Sequence, residues 1–171
     1  MKTYCYENYK TIYPQLSGSE LTDALIIRAV NEYGICDDEL HVIRDHRNKP
    51  YIAPRSEYKL NVSVSHCRDT FACIICETDC GIDIQMPGDV AIHKIAQRFF
   101  SEREQIMIEE DGEDMFYRLW TRKEAYAKYT GKGFGLVLAK TEVTELKDVM
   151  FIESMLENGM YCTVCLPKES E

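Results

Sequence analysis

Two separated segments of the chain carry the side chains best suited to chemistry. Glu124 and Lys128, which follow Trp120, are four positions apart, and side chains at this spacing lie on one face of a helix. The segment Gly81–Gln85 alternates apolar and polar residues and is predicted to be a strand that carries a second carboxylate, Asp83. Two carboxylates beside a lysine suit a Mg²⁺ ion that substrate phosphates also bind.

Basic residues are concentrated around the first of these segments. Residues 118–132 include five Lys or Arg and one acidic residue, whereas the whole chain has a formal net charge of −9. This acidity argues against a general nucleic-acid-binding protein. A basic stripe on an acidic protein favours a phosphate-rich small molecule or an acidic partner, although a solvated helix face has the same composition.

The composition fits a soluble domain with an ordinary core. Of the 171 residues, 45% are hydrophobic, and no apolar run reaches the roughly 18 residues that a membrane helix needs. The first ten residues lack the apolar region of a signal peptide. We therefore expect a cytoplasmic protein that binds neither membrane nor nucleic acid, and we expect it to be a monomer.

Eight cysteines include two pairs with CxxC spacing. Cys73 and Cys76 form one pair, Cys162 and Cys165 form the other, and both pairs lie in segments that are predicted to be strands. In a reducing compartment we expect these residues to be buried thiols. A thiol-based metal or redox site is the alternative.

The helix that carries Glu124 is predicted to run over residues 113–130, after an interruption at Gly112 and before a stop at Gly131. The Asn158–Gly159 pair is a hairpin signal between two later strands. Because helices and strands do not alternate strictly, we predict an α+β fold with antiparallel pairing.

Helix starts are predicted from capping residues. Ser19 is the expected N-cap of the first helix and Asp89 that of the second. Ser101, followed three positions later by Glu104, has the spacing of a capping box, which predicts that a third helix begins there.

Five short motifs lie in one order along the chain. They are Asn48-Lys49-Pro50, Val62-Ser63-Val64-Ser65-His66, Gly81-Ile82-Asp83-Ile84, Phe100-Ser101-Glu102-Arg103-Glu104 and Trp120-Thr121-Arg122-Lys123-Glu124-Ala125. In order and approximate spacing they resemble the 4′-phosphopantetheinyl transferases, and in particular the larger, single-chain, pseudo-dimeric branch, the surfactin-synthetase-activating type. The clear resemblance spans about residues 48–135.

The resemblance implies two similar α+β halves, residues 1–80 and 81–171, related by a pseudo-twofold axis with coenzyme A bound between them. It implies a holo-carrier-protein synthase that moves the phosphopantetheine arm of coenzyme A to a serine of an acyl or peptidyl carrier protein with Mg²⁺. A non-catalytic coenzyme A- or carrier-binding homologue is the alternative. Gln85, where the family often has Glu, and a short N-terminal region motivate this alternative.

The resemblance also implies roles for single residues at the reacting end. Asp83 and Glu124 would ligate Mg²⁺, with Gln85 as a further oxygen donor, and Lys128 would neutralise the pyrophosphate. Glu104 and Glu124 are both candidates for the base that acts on the carrier serine.

At the nucleotide end, the resemblance implies that His66 and Ser65 hold the 3′-phosphate of coenzyme A. Lys49 and Arg28 are further candidates for contacts with the nucleotide. Carrier proteins of this class tend to be acidic around their serine, and the basic residues expected to assist docking are Arg122, Lys123 and Lys132.

Overall fold

The computed structural model describes residues 1–46, 48–53, 60–133, 135 and 141–168. Within these ranges the strands are β1 (Lys2–Glu7), β2 (His41–Arg44), β3 (Pro50–Ala53), β4 (Asn61–Cys67), β5 (Thr70–Cys76), β6 (Gly81–Gln85), β7 (Val149–Met155) and β8 (Tyr161–Pro167). The α-helices are α1 (Gly18–Tyr33), α2 (Ile92–Phe99) and α3 (Glu102–Thr130). A short 3₁₀ helix covers Tyr9–Thr11.

A five-stranded antiparallel sheet forms the first half of the molecule, with strand order β1-β5-β4-β3-β2. Side chains of β5 alternate between its two faces, and one face packs under α1. Leu25 and Ile26 of α1 are fully buried there, in one cluster with Val62 and Phe71. The helix therefore covers only one side of the sheet.

The second half contains a three-stranded antiparallel sheet with strand order β6-β8-β7. The other face of β5 packs against this sheet, so that Ile74 lies in a buried cluster with Ile82, Ile84 and Val164. The two sheets thus share an apolar interface, and α3 packs against the opposite side of β6 and β8.

Serine hydroxyls join the two sheets where β6 lies over β4. The hydroxyl of Ser63 accepts a hydrogen bond from the backbone N–H of Ile82 at 3.1 Å. Ser65 accepts one from the backbone N–H of Ile84 at 3.3 Å. A buried N–H without a partner is costly. The two hydroxyls of β4 therefore supply partners for backbone N–H groups of β6 that do not pair with another strand.

Helix α3 is broken at Gly112, where φ is 73° and ψ is −149°. The ammonium of Lys123 lies 2.8 Å from the carboxylate of Glu104, although a straight helix would separate these positions by about 28 Å. The chain therefore reverses at Gly112, and the two limbs of α3 form a helical hairpin, as the predicted interruption requires.

The predicted fold class is confirmed, since helices pack against two antiparallel sheets. The hairpin of β7 and β8 and the capping box of Ser101 are also confirmed. The connection between the two sheets lies between Cys76 and Gly81. The pseudo-twofold axis, and the division into halves at residues 80 and 81, remain predictions.

Two predicted helix starts are wrong. The N-cap of α1 is Ser17 rather than Ser19, which lies within the first turn. The N-cap of α2 is Ala91 rather than Asp89. The second case involves a tertiary contact that sequence spacing does not reveal: the hydroxyl of Tyr117 accepts a hydrogen bond from the N–H of Gly88 and donates one to its carbonyl, next to Asp89.

The prediction of buried thiols is confirmed for both CxxC pairs. Cys73 and Cys76 belong to different core clusters, because side chains three apart on a strand point to opposite faces. Burial raises the pKa of Cys162 to about 11 and that of Cys165 to about 12, which keeps both thiols protonated. Within the described part of the chain, no group of three or more His, Cys, Asp or Glu is placed to hold a metal ion.

No described helix combines the length and the apolar character that crossing a membrane requires.

Gly81 allows β6 to approach α3 closely. A Cβ atom there would lie 2.0 Å from the carbonyl oxygen of Ala125 and 2.6 Å from the backbone nitrogen of Tyr129. Both obstructing atoms belong to the backbone and cannot move aside without shifting the helix. We expect Gly81→Ala to lower the free energy of unfolding by roughly 2 kcal/mol or more in urea denaturation.

Gly88→Ala is the matched control, because a Cβ at Gly88 meets nothing within 4 Å. Its effect on the free energy of unfolding should stay below about 1 kcal/mol. Equal losses in the two variants would show that the contact between β6 and α3 is not close.

Candidate active site

A cleft of about 540 Å³ opens between the two halves. It is lined by residues from α1, β2, β4, β6 and α3, so both sheets and two helices contribute to it. Six of the predicted site residues lie along this cleft: Ser65, His66, Asp83, Gln85, Glu124 and Lys128. The segments that are distant in sequence therefore meet at one place.

Asp83 is the buried carboxylate of the cleft, with 6% of its surface exposed. Its Oδ1 atom accepts hydrogen bonds from the hydroxyl of Ser65 and the ammonium of Lys128, each at 2.8 Å. Lys128 also donates to the carbonyl of Ile82 at 2.9 Å. The lysine thus compensates a charge whose burial without a partner would be costly.

Glu124 lies beside this pair and is half-buried. Burial and, to a smaller extent, the nearby charge of Asp83 raise the pKa of its carboxyl, while Lys128 lowers it, and the net value is about 8. Two carboxylates that repel one another across a cleft form a donor set that suits a divalent cation. These residues therefore fit the predicted Mg²⁺, whose binding here remains a prediction.

Gln85 also faces the cleft, two positions beyond Asp83 on β6. Its amide nitrogen donates to the carbonyl of Met86 at 3.1 Å. Since an amide has a donor and an acceptor end, this bond leaves the oxygen of Gln85 for a cation or a water molecule. Its role as a metal ligand remains a prediction.

The residues predicted to hold the nucleotide end are only partly brought together. His66 is exposed and lines the cleft, with its ring 6.2 Å from that of Tyr9. Ser65 also lies at the cleft, but its hydroxyl donates to Asp83 and accepts from Ile84. Ser65 therefore supports the acidic site, and a phosphate would have to displace one of these contacts.

Arg28 does not face the cleft. It lies on the other side of α1, beside a separate groove of about 670 Å³, where it pairs with Glu32 at 2.8 Å and stacks on the ring of Tyr6. Helical periodicity predicts that Arg28 lies on α1, but the side of the helix that borders the cleft is decided by how α1 packs on the sheet.

Lys49 lies next to the cleft, in an adjoining cavity of about 300 Å³ that Glu124 and Lys128 also line. Its ammonium donates to the carbonyl of Tyr129 at 3.2 Å and lies 3.8 Å from a carboxylate oxygen of Asp79. Through these contacts, the ammonium of Lys49 connects the first half of the molecule to the end of α3.

Glu104 lies outside the cleft and is completely buried. Its carboxylate accepts hydrogen bonds from the backbone N–H groups of Ser101 and Val143, and it pairs with Lys123 at 2.8 Å. The prediction that Glu104 competes for the role of base is not supported by this position, because every contact of its carboxylate belongs to the interior of the second half. The role of Glu124, the other predicted candidate, remains a prediction.

The expected docking function of Lys123 is also not supported, since the side chain is fully buried. Its ammonium donates to the carbonyl of Thr141 at 2.6 Å and lies 5.2 Å from the centre of the ring of Phe100. Arg122 is half-buried and forms two hydrogen bonds with Glu153. Lys132 is exposed, and its docking role remains a prediction.

Sequence reasoning missed Arg44, a cation at the cleft. Its guanidinium forms a two-point pair with the carboxylate of Asp23, with the bond from Nη1 to Oδ2 at 3.1 Å. The two residues are 21 positions apart, so no helical or strand spacing connects them. No local signal in the sequence could have found the pair.

Comparison with known proteins tests the resemblance of the sequence. The sequence model of the 4′-phosphopantetheinyl transferase superfamily matches residues 79–164. The 4′-phosphopantetheinyl transferase gsp of Aneurinibacillus migulanus is 30% identical over 94% of this chain and 71% of its own length. The 4′-phosphopantetheinyl transferase Sfp of Bacillus subtilis (strain 168) is 30% identical over 72% of this chain and 54% of its own length.

The α+β fold is consistent with the transferase class that the motifs had predicted. The chain belongs to the 4′-phosphopantetheinyl transferase superfamily, which confirms the resemblance. It spans about half the length of several of the curated relatives that it matches. The activity, substrates and partners of those whole proteins are therefore proposals for this chain.

The buried pair of Lys123 and Glu104 gives a prediction about stability. Lys123→Met leaves the carboxylate of Glu104 without its cation in the interior, so we expect a loss of about 3 kcal/mol in the free energy of unfolding. The double variant with Glu104→Gln should recover part of this loss, because both charges are then absent. Urea denaturation of the two variants measures the difference.

Lys132→Met is the matched control, because Lys132 is an exposed lysine just after the C-terminal end of α3. This control should lower the free energy of unfolding by less than about 0.5 kcal/mol. A double variant that is less stable than Lys123→Met alone would contradict the importance of the pairing.

The raised pKa of Glu124 predicts a stability that depends on pH. The unfolded-state value is near 4.5 and the folded-state value about 8, so the folded protein binds more protons between these limits. The stabilising effect of the protonated carboxyl is complete below about pH 4.5 and is lost as the pH rises towards 8. The slope is at most about 1.4 kcal/mol per pH unit.

Glu124→Gln removes this titration. Without divalent cations, the stability of the variant relative to the wild type should therefore increase from pH 5 to pH 9 in urea denaturation. A difference that does not change with pH would show that the carboxyl of Glu124 is not perturbed by burial and Asp83.

Proposed function

We propose that the protein transfers the 4′-phosphopantetheine arm of coenzyme A to a serine hydroxyl of an acyl or peptidyl carrier protein, with Mg²⁺ as cofactor. The observation that supports this most strongly is the convergence of Asp83, Glu124 and Lys128 on one cleft between the two sheets. Membership of the superfamily supports the reaction class.

In this reaction the serine oxygen forms a bond to the β-phosphorus of the pyrophosphate. The bond from that phosphorus to the bridging oxygen breaks, and adenosine 3′,5′-bisphosphate leaves with the electron pair. The serine proton passes to a base, directly or through water. We assign this role to Glu124, because its carboxylate lines the cleft beside Asp83 and Lys128, whereas Glu104 is buried away from the cleft.

Asp83 and Glu124 would hold Mg²⁺, with Gln85 as a further oxygen donor, and the ion would supply positive charge to the pyrophosphate. Lys128 contributes charge from the protein itself. Its side chain is 29% exposed at the cleft and bound to Asp83, so it can donate to a phosphate oxygen while the helix holds its position. A fixed cation at developing negative charge stabilises the transition state.

The remaining parts of the proposal concern partners and location. Coenzyme A would bind in the cleft and its adjoining cavity, and the exposed Lys132 would attract the acidic carrier. A cytoplasmic monomer that binds neither nucleic acid nor membrane is the state in which we expect the protein to act.

We expect Asp83→Ala to reduce transfer at least about 100-fold, because it removes a cation ligand and the partner of Lys128. Intact-mass analysis of an apo carrier protein, incubated with coenzyme A and Mg²⁺, measures the added arm. The control is Asp69→Ala, which removes an exposed aspartate that pairs with Lys10 outside the cleft.

A panel of apo carriers from fatty-acid, polyketide and peptide synthesis should be used, since the sequence does not identify the carrier. Transfer by Asp83→Ala at the wild-type rate would overturn the assigned site. If the wild type bound coenzyme A but modified none of the carriers, the alternative of a non-catalytic binding homologue would be favoured.

A further inference from the structure

The cations predicted for the nucleotide end of the cleft are mostly engaged elsewhere. Arg28 pairs with Glu32 on the far side of α1. Lys49 donates to the end of α3 and faces Asp79. The hydroxyl of Ser65 is used by Asp83. Among the described residues, the exposed His66 is therefore the predicted phosphate contact that still faces the cleft.

Among the residues that the structure describes, Arg44 is an arginine that lines this end of the cleft, together with Ser19, Thr22 and His66. Its guanidinium and the carboxylate of Asp23 form two roughly parallel hydrogen bonds, the geometry in which such pairs are most specific. The side chains remain 26% and 31% exposed, respectively. The pair is therefore reachable from the cleft but carries no net charge.

A neutral pair and a free arginine select different ligands. A free guanidinium attracts a doubly charged phosphate strongly and a sugar hydroxyl weakly. When a carboxylate is bound to the guanidinium, it cancels the attraction for phosphate, while the N–H groups that remain unused can still donate to a hydroxyl. Asp23 would also repel a phosphate that approached Arg44.

We propose that the pair of Asp23 and Arg44 sets donor specificity, so that the cleft binds 3′-dephospho-coenzyme A about as tightly as coenzyme A. This inference rests on the proposed function, because it concerns the nucleotide end of the same donor. Binding energy then comes from the pyrophosphate and the phosphopantetheine arm, and the 3′-phosphate adds little.

The experiment measures the dissociation constants of coenzyme A and 3′-dephospho-coenzyme A for each variant by isothermal titration calorimetry with Mg²⁺. The quantity of interest is the ratio of the constant for the dephospho form to that for coenzyme A. In the wild type we expect a ratio within about threefold of one. In Asp23→Asn it should rise roughly three- to tenfold, as expected when one charge of a partly exposed pair is removed.

Glu32→Gln is the matched control. This variant removes the carboxylate that pairs with Arg28. Glu32 lies nine positions after Asp23 on α1, and at this spacing the two side chains point to opposite faces of the helix. The change in net charge is the same, so an effect of long-range electrostatics would appear in both variants. We expect the ratio for this control to remain at the wild-type value.

A second variant keeps the test decisive if Asp23→Asn folds poorly. Arg44→Gln leaves Asp23 unpaired at the cleft, so coenzyme A should bind more weakly than the dephospho form and the ratio should fall below that of the wild type. The double variant restores a neutral pair and should return the ratio to near one.

The outcomes separate this inference from the proposed function. A wild-type ratio above about 100, or equal ratios in Asp23→Asn and Glu32→Gln, would overturn the role of the pair while leaving the transferase proposal intact. If neither nucleotide bound to the wild type, the proposed function would fail, and this inference would fail with it.

Discussion

The site depends on how β6 is held over β4. Hydroxyls of Ser63 and Ser65 replace the backbone partners that β6 lacks on this side, so the strand is fixed by side chains of the other half. Ser65 also donates to Asp83, so the contact that joins the halves also orients the buried carboxylate. On the opposite side, Gly81 leaves space for α3 to approach.

The helical hairpin of α3 supplies the other half of the site. Reversal at Gly112 brings Lys123 against Glu104, and this buried pair also binds the backbone at Thr141 and Val143. The pair therefore fixes the rotation of the limb whose next residue is Glu124. A buried ion pair is weak evidence for net stability, but here each charged atom has a partner, so the arrangement is well defined.

Charge in the cleft is unevenly distributed. At the acidic end, burial and the charge of Asp83 raise the pKa of Glu124, and the two carboxylates suit a cation. At the nucleotide end, Arg44 pairs with Asp23, and Arg28, which was predicted to contact the nucleotide, pairs with Glu32 away from the cleft. Burial and pairing, rather than the number of basic residues, therefore decide what each end attracts.

The sequence by itself determined the α+β class, the broken third helix and the acidic residues of the cleft, because periodicity, capping signals and short motifs are local properties. Only the tertiary structure decided that Glu104 lies in the interior, that Arg28 faces away and that Arg44 faces the cleft. Side-chain environment depends on contacts between residues far apart in the chain, such as the 21 positions between Asp23 and Arg44, and no local pattern encodes them.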